Sequence, residues 1–244
     1  MKPFILPINS FFLLFLLFPL CMTAQQPDWQ WGIRGGSATV DQNVIPIRET
    51  VDDMAVDAEG NTYIVSRVGG GPGLQGPTLS GAGPLPFYGQ HDHSRALLLA
   101  SYDCEGNYRW SKLISGYRSS SGPRVGIDTL GHVYMTGAIF PAQKHPWTGQ
   151  EYLTHFDTDT IIPYSDDPNL YKKNLFLIRY DTSGNFQQLI MPQPDDMSNF
   201  DLLAYNYTDL MVDPDGTQHW LLDVNSRAHP VTGDVIYPII EGDT

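Results

Sequence analysis

Two stretches of this chain carry the same strand–turn–strand pattern, which limits the folds available to it. In each, an apolar run ends in Tyr-Asp-x-x-Gly-Asn, at residues 94–110 and again at 174–186. The runs do not alternate with polar residues, and at about 5–7 residues they are too short for helices and typical of strands covered on both faces. Asp at the first turn position and Gly at the fourth favour a type I turn that ends in a left-handed residue. We call this pattern the A hairpin.

A second pattern, the B hairpin, alternates with the first. It is a strand that ends in Asp-x-x-Gly and returns through aromatic and β-branched residues, as hairpin strands do. B hairpins are predicted at 51–65, 124–137 and 209–222. Together the two patterns place Asp-x-x-Gly at 57–60, 103–106, 128–131, 181–184 and 213–216.

The spacing of the turns defines a repeat. Equivalent turns are 71 residues apart from Asp57 to Asp128, 85 from Asp128 to Asp213 and 78 from Asp103 to Asp181. One repeat therefore holds a B and an A hairpin, or about four strands. Four-stranded units with buried faces are typical of β-propeller blades. A β-sandwich is the alternative, although it does not require two hairpin types at a repeating distance.

We therefore expect an all-β domain over residues 25–244, with about two and a half to three propeller-like blades. The composition agrees, since 41% hydrophobic residues are enough for a core, and 23 Gly, 19 Pro and 12% aromatic residues favour a turn-rich β protein.

The first 24 residues have the layout of a secretory signal peptide. Lys2 gives the positive amino-terminal region, Phe11 to Leu20 the apolar region and Thr23-Ala24 a small-residue exit. The apolar segment is too short to span a bilayer. Cys21 raises a lipoprotein alternative, but the preceding residues lack the small residue of a lipidation signal. We expect cleavage after Ala24 and an extracellular or cell-surface location.

Charge and cysteine content narrow the functions further. Loss of Lys2 moves the formal net charge from −13 to −14, and an acidic chain without a basic patch disfavours nucleic-acid binding. Cys104 is the only cysteine after cleavage, so no internal disulfide can form. Pairing between chains is an alternative, but the position of Cys104 within a turn favours a tolerated turn residue.

Three segments carry a family resemblance. Val56 to Ile64, Ala100 to Trp110 and Ile127 to Gly137 resemble the SBBP-type β-propeller repeats of secreted proteins in Bacteroidetes-like bacteria. The resemblance covers roughly residues 29–224 and implies a secreted propeller with further blades. It also implies a C-terminal sorting domain for type IX secretion, which has no counterpart here. We therefore expect the chain to be the front of a larger propeller.

The unique material lies in two long connections, 69–94 and 138–173. Both join a B to an A hairpin, so we expect them at the same end of the sheets, where they would form the recognition surface. The aromatic residues expected to contact a ligand such as a glycan are Phe87, Tyr88, Trp147 and Tyr152. Trp31, Trp110 and Trp220 recur near strand starts and are expected to pack between blades.

The connections also contain residues of metal-ligand type. His91-Asp92-His93 fits a metal site less well than a solvated stretch. Asp157, Asp159, Asp166 and Asp167 suggest calcium, but their spacing lacks the Gly and distal Glu of an EF-hand loop. We expect an acidic, solvated loop and no bound metal or cofactor.

No catalytic motif stands out. The sequence lacks a Gly-x-Ser-x-Gly elbow, a P-loop, a dinucleotide fingerprint, His-Glu-x-x-His and Cys-x-x-Cys. Paired acids would suit a polysaccharide hydrolase, yet the repeated Asp residues lie in turns, where binding the backbone explains them. We expect a non-catalytic module for protein or glycan interaction, with a secreted polysaccharide hydrolase as the alternative.

Overall fold

A computed structural model describes residues 32, 35–36, 50–69, 77–86, 95–116, 121–139, 142–144, 149–162, 174–191 and 208–222. Contacts divide the chain into two units, 1–32 and 33–244, and every described strand belongs to the second. Within these ranges the secondary structure is all β, without a helix. The predicted all-β class is confirmed.

The strands are numbered in chain order. They are β1 (Gly35–Gly36), β2 (Thr50–Val56), β3 (Thr62–Gly69), β4 (Thr78–Leu79), β5 (Gly83–Pro84), β6 (Arg95–Tyr102), β7 (Tyr108–Ser115), β8 (Ser121–Ile127), β9 (Val133–Ile139), β10 (Gln143–Lys144), β11 (Glu151–Tyr152), β12 (Thr154–Phe156), β13 (Thr160–Ile162), β14 (Asn174–Tyr180), β15 (Phe186–Ile190), β16 (Thr208–Val212) and β17 (Gln218–Leu222).

Each predicted repeat forms one antiparallel sheet. In the first sheet, the B hairpin β2–β3 pairs with the A hairpin β6–β7, and in the second sheet β8–β9 pairs with β14–β15 in the same order. The third B hairpin, β16–β17, forms a two-stranded sheet. Two small sheets, β1-β4-β5 and β10-β11, complete the described strands. The prediction that one repeat contains a B and an A hairpin is confirmed.

The apolar A-hairpin strands are covered on both faces, as their sequence predicts. All five residues from Ala96 to Ala100 are buried, and so are the four from Leu175 to Ile178. Alternate residues of β6 belong to different cores. Leu97 and Leu99 pack in the core shared with the second sheet. Ala96, Leu98 and Ala100 belong to a second core on the opposite face.

The three units are stacked against one another through two buried cores. The largest core lies between the first and second sheets, where Tyr63 and Val65 meet Val133 and Met135. A smaller core, which includes Tyr134, Leu177 and Leu210, lies between the second sheet and β16–β17. The first strands of the units contact each other in sequence, β2 with β8 and β8 with β16. The first strands therefore pack between the first and second units in the same order as between the second and third.

Residues 77–86 of the first long connection cover the free face of the first sheet. The segment contains β4, which pairs with β1 on one side and β5 on the other and is therefore the central strand of its small sheet rather than an edge strand. Leu79 and Leu85 pack on the core formed by Leu98, Ala100 and their neighbours. A Cβ atom on Gly81 would lie 2.6 Å from Cβ of Tyr108, so the segment lies directly on the sheet.

The second long connection also packs on the first sheet. Its hairpin β12–β13 adds to the outer edge at β7, with Phe156 opposite Ile114. Asp157 adopts a φ of 50°, donates its N–H to the Leu113 carbonyl and accepts the Leu113 N–H at 2.9 Å. The described parts of both connections thus pack on the first sheet and are integral to the fold.

Several predictions fall outside the described residues. They include the signal peptide, Trp31, His91-Asp92-His93 and the acids Asp166 and Asp167. Among the residues that are described, no helix has the length and apolar character to cross a membrane.

Candidate binding cleft at the turn end

The Asp-x-x-Gly turns all lie at one end of the sheets, which we call the turn end. In an antiparallel meander, alternate connections leave from opposite ends, so the two long connections begin and end at the other end of the sheets. Residues 77–86 of the first connection nevertheless extend along the sheet face as far as Tyr108, next to the 103–106 turn. The five turn glycines have φ values of 83° at Gly60, Gly106 and Gly131, 80° at Gly184 and 90° at Gly216. These are the left-handed positions that the sequence predicts.

Four of the turns use the Asp carboxylate in the same way. In the first turn, Oδ1 of Asp57 accepts the backbone N–H groups of Glu59 and Asn61, and Oδ2 accepts the Asn61 amide at 2.8 Å. Asp103, Asp128 and Asp181 repeat the arrangement, with His132 in place of Asn in the third turn. The structural role expected for the repeated Asp residues is confirmed.

The B hairpins add a contact that sequence reasoning missed. The residue six positions after Asp also binds its Oδ2 atom, as the Tyr63 hydroxyl does to Asp57 at 2.9 Å and the Tyr134 hydroxyl does to Asp128 at 3.0 Å. In the third B hairpin, His219 Nε2 lies 2.8 Å from Asp213. The sequence indicates this contact through the aromatic residue that recurs six positions after the turn Asp, as Tyr63, Tyr134 and His219.

These bonds set the ionisation of the turn acids. Burial by itself raises the pKa of Asp128, but the hydrogen bonds from His132 and Tyr134 outweigh it, so the pKa is lowered from the usual 3.8. The pKa values of Asp57 and Asp181 are lowered by the same balance of burial and hydrogen bonds. The carboxylates of Asp57, Asp128 and Asp181 are therefore ionised at neutral pH.

We expect acid to destabilise the fold through these groups. A lowered folded-state pKa contributes stability above the unfolded value near 3.8, and that stability is lost as the pH falls through the folded pKa. The urea midpoint, followed from pH 7 to pH 2, should fall below about pH 4. Asp128→Asn, which removes one titrating group, should show a shallower fall, and an unchanged acid dependence would contradict this assignment.

The turns are also joined across sheets. Arg109 Nη2 and Trp110 Nε1 of the first sheet both donate to the Thr182 carbonyl of the second at 2.9 Å. Thr129 donates its backbone N–H to the Pro214 carbonyl of the third hairpin at 3.2 Å. Because both contacts end on backbone carbonyls, they fix the turns of neighbouring units against one another.

A cleft of about 550 Å³ opens where the three B-hairpin turns meet. It is lined by Val56, Asp57, Ala58, Glu59, Asn61, Arg109, Ile127, Asp128, Thr129, Leu130, Gly131, Thr182, Val212 and Pro214. Residues of all three units line the cleft, so no single repeat contains it, although the turns that form it recur in each repeat. Among the large hydrophobic side chains of its lining, Leu130 is the most exposed, at 76%.

Arg109 and Glu59 give the cleft its available charges. The Arg109 guanidinium is held by the Tyr63 hydroxyl and the Ser101 hydroxyl, each at 3.1 Å, in addition to Thr182. No carboxylate of the described residues forms an ion pair with it. Glu59 is exposed, and no described residue binds its carboxylate. The oxygens of Asp57 and Asp128 are already engaged, so they contribute charge but few free lone pairs.

Of the four aromatic residues predicted to contact a ligand, only Tyr152 lies among the described residues. Tyr152 is buried at 7% exposure, which argues against ligand contact, and Phe87, Tyr88 and Trp147 lie outside the described residues. Trp110 packs between the first two sheets, as predicted, and Trp220 packs against the core between the second sheet and the third hairpin. Cys104 is an exposed thiol in its turn, as expected.

The loop acids that suggested calcium are partly accounted for. Asp157 binds backbone N–H groups, and Asp159 forms an ion pair with Lys112 at 2.8 Å. Within the described ranges, no three His, Cys, Asp or Glu residues are grouped as a metal site would require.

No protein-family model, no curated protein and no solved structure matches this chain.

Proposed function

We propose that this chain is a secreted or cell-surface module of the β-propeller type, which binds a protein or glycan ligand at the turn-end cleft without catalysing a reaction. The observation that carries the proposal is the position of the cleft, where turns from three stacked units converge on Arg109. Ligand sites are typically concave and combine apolar lining with a few fixed polar groups.

The stacking supports a propeller over a sandwich. In a sandwich, two sheets share one core and leave their outer faces to solvent. Here the second sheet has a core on each face, one shared with the first sheet and one with β16–β17. Successive four-stranded units that bury both faces in this manner are a property of propellers, and the resemblance to SBBP-type repeats agrees with it.

The state of the acids favours binding over hydrolysis. A glycosidase needs a carboxylic acid with a raised pKa and a second carboxylate. The pKa values of Asp57 and Asp128 are lowered instead, and their oxygens are engaged by turn donors. Glu59 is the one acid of the described lining whose carboxylate has no described hydrogen bond, so the described lining offers no second free acid for this chemistry.

The test uses the exported protein, with its amino terminus near Gln25 read by mass spectrometry. The protein is screened on a glycan array and by pull-down, and a panel of polysaccharides is assayed for turnover. Leu130→Arg is expected to weaken binding by about tenfold or more, because it fills the cleft without touching a turn bond. Ile161→Arg, at a residue that is 51% exposed outside the cleft, should leave binding unchanged.

Two results would contradict the proposal. Turnover that Glu59→Gln abolishes without loss of fold would favour the secreted hydrolase. Binding that survives Leu130→Arg would move the recognition surface to the end with the long connections, where the sequence first suggested it.

A further inference from the structure

Residues 229–244 repeat the sequence of residues 145–160. The two segments align without a gap, 84 positions apart from His145 to His229, close to the 85 positions from Asp128 to Asp213. Six of the sixteen aligned positions are identical, where chance predicts roughly one. They are His145 and His229, Pro146 and Pro230, Thr148 and Thr232, Gly149 and Gly233, Asp159 and Asp243, and Thr160 and Thr244. This part of the second long connection therefore recurs in the third repeat and is not unique to one place in the chain.

The described residues 149–162 show how the first copy is placed. Strand β11 pairs with β10, and β12 then lies along the outer edge of β7 in the preceding unit. His155 is opposite Ser115, and Phe156 is opposite Ile114. The Phe156 side chain is fully buried in the core between the first and second sheets. The segment thus covers the outer edge of one sheet beside its interface with the next.

The large buried side chains of this segment remain apolar in its copy. Tyr152 and Phe156 are 7% and 0% exposed, and the copy has Ile236 and Ile240 at these positions. The residues between them give both segments the same spacing of four from one buried position to the next. The copy therefore has the apolar residues that a strand needs to pack as β12 does.

The two residues with special backbone roles are also matched. Gly149 has a φ of 70°, which favours glycine, and the copy has Gly233 there. Asp157 accepts the N–H of Leu113 and so ends the contact with β7. The copy has another acid, Glu241, at this position.

The strand of the second sheet that corresponds to β7 is β15. Both A hairpins pair in one register, with Lys112 opposite Leu99 and Ile190 opposite Leu177, each 78 positions later. Among the described strands, β15 pairs only with β14, and its first three residues are exposed. An outer edge of this kind presents main-chain groups to which a further strand can bind.

We propose that residues 236–241 add to the outer edge of the second sheet beside β15, as β12 adds to the first sheet beside β7. In this register Ile239 lies opposite Gln193, and Glu241 binds the N–H of Met191. Residues 229–244 lie outside the described residues, so their place follows from the repeat. No residue of β15 is among the described lining of the cleft, so the inference is independent of the proposed ligand site.

Two positions of the second edge differ from the first. Pro192 stands in the place of Ile114, but the bond from β12 goes to the neighbouring residue of β7, so a proline here removes no outer hydrogen bond. Ile190 stands in the place of Lys112, so the ion pair of Lys112 with Asp159 has no counterpart. The copy is therefore held by main-chain bonds and apolar contacts.

Paired cysteines test the contact in the exported full chain, with Cys104→Ser to remove its exposed thiol. Gln193→Cys with Ile239→Cys copies the pair that Ser115 forms with His155. Opposed residues of antiparallel strands have Cα atoms about 4.5–5.5 Å apart, within the range for a disulfide. We expect oxidation of the native protein to form this disulfide within one chain, as mapped by mass spectrometry.

Two further pairs are the controls. Ser115→Cys with His155→Cys should also oxidise, because these residues are opposite each other in the described structure. Gln188→Cys with Ile239→Cys should stay reduced, because residue 188 is five positions from 193, or about 17 Å along a strand. A segment without a fixed position would oxidise with residue 188 and residue 193 alike.

Hydrogen exchange of the unmodified chain gives an independent measurement. The N–H of Leu113 is bound by Asp157, so the N–H of Met191 should be bound by the copy and exchange about tenfold or more slowly than that of Leu189 on the same edge. Ile240→Asp should remove this difference and leave Leu113 protected. Equal protection of Met191 and Leu189 in the unmodified chain would contradict the proposal.

Three results of the cysteine experiment would overturn the proposal. The first is a pair at 193 and 239 that stays reduced while the pair at 115 and 155 oxidises. The second is equal oxidation of residue 239 with 188 and with 193. The third is a disulfide found only between two chains, which would place the segment on a neighbouring molecule. None of these measurements depends on ligand binding, so a failure of the cleft proposal is recognised separately.

Discussion

Replacing Asp128 with alanine is expected to lower the free energy of unfolding by about 3 kcal/mol, because charge-assisted hydrogen bonds to a buried carboxylate are lost together. Asp128 is 6% exposed and accepts the N–H groups of Leu130 and His132, the His132 ring and the Tyr134 hydroxyl. For a chain of this size, thermal denaturation should show a melting temperature lower by about 6–12 °C.

Asp103 offers the matched control. It makes the same turn bonds, but it has no phenol contact among the described residues and lies at a more exposed turn. Asp103→Ala should therefore lower the melting temperature less than Asp128→Ala. Equal losses from the two substitutions would show that the phenol and the burial of Asp128 contribute nothing.

The repeated Asp-x-x-Gly turns and the strands beside them could be predicted from the sequence. Asp57 and Gly60 specify their turn through backbone bonds and a left-handed φ, which depend on neighbouring residues alone. The apolar run of β6 predicts a strand buried on both faces, and the structure confirms it. The alternation of B and A hairpins gave the four-stranded unit, because hairpins that follow one another in sequence commonly pair.

The contacts between segments that are distant in the sequence could not be predicted from it. Nothing in the run from Thr154 to Ile162 identifies β7 as its partner, since the pairing depends on Asp157 adopting a positive φ and bonding to Leu113. The packing of residues 77–86 could not be predicted either, because Leu79 and Leu85 contact a core built from three strands, β3, β6 and β7, whose arrangement the segment itself does not indicate.

The cleft could not be predicted for the same reason. Its lining comes from three turns in three units, and the sequence does not state how closely those turns approach one another. Arg109 in particular resembles an ordinary strand residue. Its role follows from a contact with Thr182, in the turn of another sheet.

Trp110→Ala is expected to lower the free energy of unfolding by about 3 kcal/mol, in the range for the loss of a large packed aromatic side chain. The indole lies 5.8 Å from the Tyr63 ring and 6.1 Å from the Tyr180 ring, so it contacts both of the first two sheets. A Cβ on Gly184 would lie 2.7 Å from the indole, which shows how closely the second turn packs on it. Urea denaturation at pH 7 measures the loss.

Trp110→Phe separates packing from hydrogen bonding at this position. Phenylalanine keeps an aromatic ring between the sheets but cannot donate to the Thr182 carbonyl, so the loss should be about 1 kcal/mol. A Phe variant as unstable as the Ala variant would assign most of the effect to the hydrogen bond. An Ala variant as stable as the unmodified protein would mean that the first two sheets are not joined through Trp110, and the turn end would then need another explanation for its fixed geometry.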